Sequence, residues 1–218
     1  MFLCEKFDVF LFDLDGTLTD PKEGITKSVQ YALKKMGILE KNLERLVHFI
    51  GPPLKHSFMT HYGFSQEQAM EAIDWYREYF ADRGIFENRC LDGMDSFLSR
   101  LVQEKKKLFV ATSKPTVFAR IITDTFGLSP YFWEVAGSEL DGTRCEKASV
   151  IRYLFDHHDI SREKTLMIGD REHDVIGARE NGIASLGVGF GYGSRDELEK
   201  AGADYFAASL ADLNRLFF

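Results

Sequence analysis

The later part of the chain alternates short apolar, β-rich runs with segments of helical period, and that alternation leaves few folds open. Runs at residues 108–111, 132–136, 165–168 and 184–188 are bounded by turn residues and read as buried strands. Around them, residues 94–103, 117–126, 147–155 and 172–181 carry apolar side chains at helical spacing, the last closed by Gly182. Strands that return through helices pair in parallel and are covered on both faces, so the expectation is an α/β fold. A fifth run, residues 7–12, interrupted only by Asp8, opens the series.

One interval breaks the alternation. Between Asp13 and Leu108 no convincing strand is legible, although a parallel crossover needs only about a dozen residues and 94–103 could supply it alone. The excess reads as helix throughout: residues 25–36 stopped by Gly37, 43–50, 54–62 stopped by Gly63, and 66–80. An all-helical domain, residues 19–90, is therefore expected as an insertion after the first strand of an α/β core made of residues 1–18 and 91–218. It would sit over that strand's carboxyl end, where α/β folds place their ligands. The aromatic residues Trp75, Tyr76, Tyr79 and Phe80 have helical spacing and are expected to pack within the insertion.

Composition narrows the class of function. Over 218 residues, 44% hydrophobic and 28% charged are values of an ordinary globular protein. A net charge of −7 argues against nucleic-acid polymers and anionic membranes as partners. No apolar run approaches a membrane span, and MFLCEKFDVF lacks a basic stretch and reaches Glu5 early, so no secretory leader is expected. Cys4, Cys90 and Cys145 lie far apart with no CxxC, which suggests reduced thiols and a cytoplasmic location rather than disulfides or zinc. Oligomeric state is not legible.

The chemistry sits at the strand ends. FLFDLDGTLTD places Asp13 and Asp15 at the end of the first run, and although Asp-Gly is common turn chemistry, two carboxylates there need a purpose. LFVATSKP ends at Thr112 and Ser113, with Lys114 and Pro115 just beyond. Lys147 opens a helix in TRCEKASVIRYLF, and alone would read as a solvated residue. LMIGDREHDVIGA puts Asp170 after an apolar strand, where it could be a helix cap, and Asp174 one turn later. Taken together, several carboxylates at one sheet edge repel unless a cation sits among them. Oxygen ligands suit magnesium, and magnesium with a lysine, a hydroxyl and strand-end amides makes a socket for a phosphoryl group.

The set DLDGT, Thr112 in VATSKP, Lys147 and GDREHD resembles the four motifs of the haloacid dehalogenase superfamily, and the helical insertion after the first motif resembles its phosphoglycolate phosphatase-like branch. The resemblance covers essentially the whole chain. It implies a Rossmann-like three-layer core with a parallel sheet, plus a mobile all-helical cap. It further implies that Asp13 is the nucleophile forming an aspartyl-phosphate, and that Asp15 protonates the leaving oxygen and then takes a proton from water. Asp13, Asp15 through its backbone carbonyl, and Asp170 would hold Mg2+; Thr112 and Lys147 would contact the phosphoryl oxygens. Asp174 would serve the metal shell or orient the lysine. Ser113 stands where some relatives carry Asn, leaving its backbone amide as the contribution.

The reading is thus a magnesium-dependent phosphatase for a small phosphorylated metabolite, phosphoglycolate-like, with nucleoside 5′-monophosphates as the rival substrate. A sugar phosphomutase would share the aspartyl-phosphate. Dehalogenase chemistry would not need Asp15, and a non-catalytic binding protein should have lost one of Asp13, Asp15, Lys147 or Asp170. Within the cap, GPPLKHSF makes Lys55 a candidate substrate contact, against a proline-started helix whose polar residues simply face water.

Overall fold

The first strand, β1 (Val9–Phe12), is apolar and buried at every position, as a strand covered on both faces of a parallel sheet must be. In the computed structural model, which describes residues 2–218, seven further strands follow. They are β2 (Thr19–Asp20), β3 (Arg89–Cys90), β4 (Lys107–Pro115), β5 (Glu134–Ser138), β6 (Thr165–Gly169), β7 (Ala184–Val188) and β8 (Tyr205–Ala207). Six form one parallel sheet in the order β5-β4-β1-β6-β7-β8, and β2 and β3 pair as a short ribbon. The chain fills one side of β1 first and then crosses to the other, so the strand order reverses at β1. Ligand crevices of open α/β sheets form at such switch points.

Pleating distributes the side chains of β1 between two helical layers. Phe10 meets Phe217 at 5.1 Å, and Phe217 in turn meets Phe97 edge-on at 5.0 Å, which joins the sheet to α5 (Met94–Gln103) and α10 (Leu210–Phe217). Val9 and Leu11 point to the opposite layer. There they pack with Phe109, Met167, Val150, Ile151, Leu154 and Ala178, under α7 (Lys147–His157) and α8 (Glu172–Glu180). Helices α6 (Thr116–Thr125) and α9 (Arg195–Ala201) and the short α1 (Leu3–Lys6) complete this part of the chain. The parallel α/β core expected from the alternation is what the chain forms. Its last pieces, α9, β8 and α10, go beyond what periodicity made legible.

The chain divides into two units: residues up to Asp20 with Cys90–Phe218, and Pro21–Arg89. The second holds α2 (Lys22–Lys35), a 3-10 segment Leu43–Phe49 where an α-helix was expected, α3 (Leu54–Tyr62) and α4 (Gln66–Tyr79), which continues into a π-turn, Phe80–Gly84. Its centre is built from buried Val29, Leu33, Leu46, Phe49, Phe58 and Ile73, with Tyr76 stacked on Phe80. Trp75 and Tyr79 lie toward its surface, where the Lys35 ammonium sits 4.5 Å from the Trp75 ring. Among the described residues no helix is long and apolar enough to cross a membrane.

Candidate active site

Register brings the chemistry together. Phe12 pairs with Val110 on one side and Ile168 on the other, so these three residues lie level across β4, β1 and β6. Asp13 follows Phe12, Thr112 stands two residues past Val110, and Asp170 two past Ile168. The Asp13 N–H donates to Ile168 O at 2.9 Å, extending the ladder by one residue and fixing the carboxylate at the strand tip. Asp13 has the same parity as Leu11 and so faces the α7–α8 layer. Lys147 and Asp174 arrive there from the first turns of those helices.

Lys147 is 4% exposed and every proton of its ammonium group is engaged. It pairs with Asp13 Oδ1 at 2.8 Å and Asp174 Oδ1 at 2.8 Å, and donates to the Ala111 carbonyl at 2.7 Å. Burial opposes its charge, but the carboxylates of Asp13 and Asp174 outweigh burial and raise its pKa above the usual lysine value. Asp174 Oδ2 accepts the Arg171 N–H at 3.1 Å, so this carboxylate caps its own helix while it holds the lysine. Such closeness needs glycine: a Cβ on Gly169 would lie 2.1 Å from the Asp174 carboxyl carbon, and one on Gly177 2.9 Å from Lys147 Cγ.

Asp170 is fully buried. Its Oδ2 accepts the Tyr192 N–H at 2.7 Å and its Oδ1 the Thr17 hydroxyl at 3.4 Å. Gly16, at φ +83°, turns the chain tightly beneath it, and a Cβ there would fall 2.3 Å from Asp170 Oδ2. The Tyr192 hydroxyl donates to Asp20. Burial first, then the negative charges of Asp13 and Asp174, push the Asp170 carboxyl well above the usual range. Burial likewise raises Asp174, to about 6, against the pull of Lys147.

The carboxylate of Asp15 faces elsewhere. Its Oδ2 pairs with the Lys114 ammonium at 2.7 Å, in surroundings that leave the two side chains 10% and 6% exposed, while Oδ1 is buried with no hydrogen-bond partner. Burial raises its pKa, with Lys114 opposing.

Carboxylate oxygens of Asp13, Asp170 and Asp174 lie within 4.8 Å of one another. Lys114 is spent on Asp15, so the three buried carboxylates of Asp13, Asp170 and Asp174 are left with one ammonium group, Lys147. The shortfall is two positive charges, and the donors are oxygens throughout, so the site fits a hard divalent cation.

Thr112 is buried, its Oγ1 accepting the Lys114 N–H at 3.3 Å, and the Ser113 carbonyl accepts the Ser138 hydroxyl at 2.8 Å. Lys55 belongs to the other unit; it is exposed, with its ammonium on Gln66 Oε1 at 3.2 Å. Tyr192 escapes a reading of motifs, and Lys114 and Thr17, which lie inside VATSKP and DLDGT, carry no assigned role there. Lys114 could have been flagged by its place two residues after Thr112 on one strand. Tyr192 carries no signal beyond a glycine-rich loop.

Over residues 10–188 the chain matches the haloacid dehalogenase-like hydrolase family. It is 51% identical to a 5′-nucleotidase of Pseudomonas aeruginosa across 97% of this chain and 96% of that one. It is 38% identical to the tyrosine-protein kinase PtkA of Mycobacterium tuberculosis, across 90% of this chain and 67% of that one. It is 24% identical to the phosphoglycolate phosphatase of Vibrio parahaemolyticus, across 96% and 95%. Among solved structures, a predicted phosphatase from Clostridium acetobutylicum superposes with a TM-score of 0.94 at 50% identity, covering 96% of this chain and 97% of that one.

Proposed function

Since the chain belongs to the haloacid dehalogenase-like hydrolase family, we propose that it is a magnesium-dependent phosphatase that hydrolyses nucleoside 5′-monophosphates through an aspartyl-phosphate on Asp13. The observation that carries the chemistry is the buried lysine held between two carboxylates beside a third, Asp13–Lys147–Asp174 with Asp170. Preference for a nucleotide over phosphoglycolate, the reverse of the order expected from the motifs, is supported by 51% identity to the Pseudomonas nucleotidase against 24% to the Vibrio phosphoglycolate phosphatase.

In this mechanism Asp13 Oδ2 attacks phosphorus, because Oδ1 is committed to Lys147 and to the Leu14 N–H at 2.8 Å. The Thr112 hydroxyl contacts a phosphoryl oxygen; Lys147, whose three protons are held by Asp13, Asp174 and the Ala111 carbonyl, offsets charge as the ester approaches a carboxylate-rich site instead of contacting the phosphoryl group as expected from the motifs. Asp15 gives its proton to the leaving oxygen and later takes one from water. Asp13 and Asp170, with the Asp15 carbonyl, would hold Mg2+, which supplies charge neutralisation between nucleophile and phosphoryl group. Asp174 orients Lys147.

Phosphate release from nucleoside 5′-monophosphates, phosphoglycolate, sugar phosphates and an aryl phosphate, with and without magnesium, tests the proposal in wild type and Asp13→Asn. Magnesium-dependent turnover, highest on nucleotides and absent in the variant, is expected. Turnover highest on phosphoglycolate would restore the other substrate, and none on any ester would remove the phosphatase reading.

A further inference from the structure

Lys114 is a buried cation that the proposed reaction does not yet use. The strand register explains how it reaches the site. Strand β4 pairs regularly with β5 through Ala111–Ala136, then slips before Pro115 meets Ser138. A bulge of this kind redirects side chains and is common beside active sites. Here it is locked on both sides. The Ser138 hydroxyl donates to the Ser113 carbonyl at 2.8 Å, and the Thr116 hydroxyl donates to the Ser138 carbonyl at 3.1 Å. Residue 137 is glycine where the bulged backbone presses closest, since a Cβ would fall 2.2 Å from Lys114 O. The distorted segment turns the Lys114 ammonium onto Asp15 Oδ2 at 2.7 Å and leaves Oδ1 as that carboxyl group's one unengaged oxygen.

We propose that Lys114 is the positioning residue for Asp15: by holding Oδ2 it selects Oδ1 as the oxygen that carries the proton in both half-reactions. The inference rests on the aspartyl-phosphate reading above. In the first half-reaction an Asp13 oxygen bonds to phosphorus, the P–O bond to the alcohol breaks, and the proton on Asp15 Oδ1 goes to the departing alkoxide. In the second, water oxygen bonds to phosphorus, the aspartyl P–O bond breaks to regenerate the Asp13 carboxylate, and Asp15 Oδ1 takes the water proton. Inorganic phosphate leaves, and Asp15 is again protonated. Misaiming Oδ1 by an ångström would damage both transfers.

Leaving-group chemistry separates this role from a structural one. A nitrophenolate departs without a proton, whereas the alcohol of a nucleotide needs one. For Lys114→Met, kcat on a nucleoside 5′-monophosphate should fall roughly 10–100-fold with KM nearly unchanged, the cost of misplacing a catalytic group. With 4-nitrophenyl phosphate the same variant should release one equivalent of nitrophenolate in a fast burst and then slow, because only the second half-reaction still needs Asp15. Lys114→Arg should recover most of the nucleotide turnover. Since Met leaves Asp15 unpaired and could disturb folding, the double variant Lys114→Met/Asp15→Asn supplies an independent arm. If Lys114 acts through Asp15, adding the Met change to Asp15→Asn should cost less than about 3-fold. Absence of the fast nitrophenolate burst, a loss confined to KM, or multiplicative losses in the double variant would overturn the inference while leaving the phosphatase reading intact. Wild type that releases phosphate from neither ester would overturn the reading itself and this role with it.

Discussion

Replacing Lys147 with Met removes the one cation that Asp13 and Asp174 share and nearly preserves the volume of the side chain. Three contacts vanish together: the ion pairs at 2.8 Å to each carboxylate and the bond at 2.7 Å to the Ala111 carbonyl. Stripping one partner from a buried ion pair costs about 3–5 kcal/mol, and two stranded carboxylates put this site at the upper end. At about 2–4 °C per kcal/mol for a chain of this size, metal-free Lys147→Met should melt roughly 10–20 °C below wild type at pH 8. The deficit should shrink at pH 5. Burial already holds Asp174 above the usual range, to about 6, and loss of the lysine removes the charge that opposed it, so the carboxyl group takes a proton and the repulsion eases. Thermal unfolding at both pH values in chelator, for wild type, Lys147→Met and Lys147→Met/Asp174→Asn, gives the comparison. The double variant has one stranded charge fewer and should recover at least about 1 kcal/mol. A Lys147→Met deficit independent of pH, together with simple additivity in the double variant, would refute the argument. The lysine would then act through packing and the Ala111 bond rather than through charge.

Four other outcomes follow from the same geometry. Gly169→Ala drives a Cβ to within 2.1 Å of the Asp174 carboxyl carbon, so it should destabilise by about 1–3 kcal/mol in urea titrations and depress turnover, although residue 169 carries no functional group. Phe217→Ala, which removes a fully buried ring between Phe10 and Phe97, should cost about 3–5 kcal/mol yet leave kcat within a few-fold when assayed well below the melting temperature. In chelator, the raised carboxyls of Asp170 and Asp174 bind protons more tightly in the folded than in the unfolded chain. Their stability contribution is therefore full below about pH 4 and lost as pH rises, through about 6 for Asp174, with Asp170 acting in the same direction. Magnesium at 100-fold its Kd should return about 2.7 kcal/mol at pH 8 and much less at pH 5, read as a shift in melting temperature.

What could be read in advance follows physical strength of signal. Strand β1 and the central stretches of β4, β6 and β7 read as apolar runs because both faces are covered, and Asp13 and Asp170 stand out as charges placed where such runs stop. Helix α7 announced itself by period, but burial of Lys147 did not, because its partners come from β1 and α8. Strand β8 has three residues and α9 seven, RDELEKA, too short and too charged for a periodic signal. Segment Leu43–Phe49 has helical composition, and its tighter 3-10 winding could not be distinguished from an α-helix by apolar spacing. Lys114 is visible in VATSKP but its role is not, because its direction is set by a register slip against Ser138, a property of two strands together. Tyr192 works chiefly through its backbone N–H, which any residue but proline could supply.

The position of β1 also fixes a timetable. It is the earliest-made strand of the sheet, yet it lies between β4 and β6, and its partner residues on the second side begin at Thr165. At ribosomal speeds of about 5–20 residues per second, the run Val9–Phe12 waits roughly 8–30 s with one hydrogen-bonding edge unclaimed. A strand of four apolar residues with an open edge invites pairing with a neighbouring chain. For this protein, the vulnerable period of synthesis ends only when the segment carrying Asp170 leaves the ribosome.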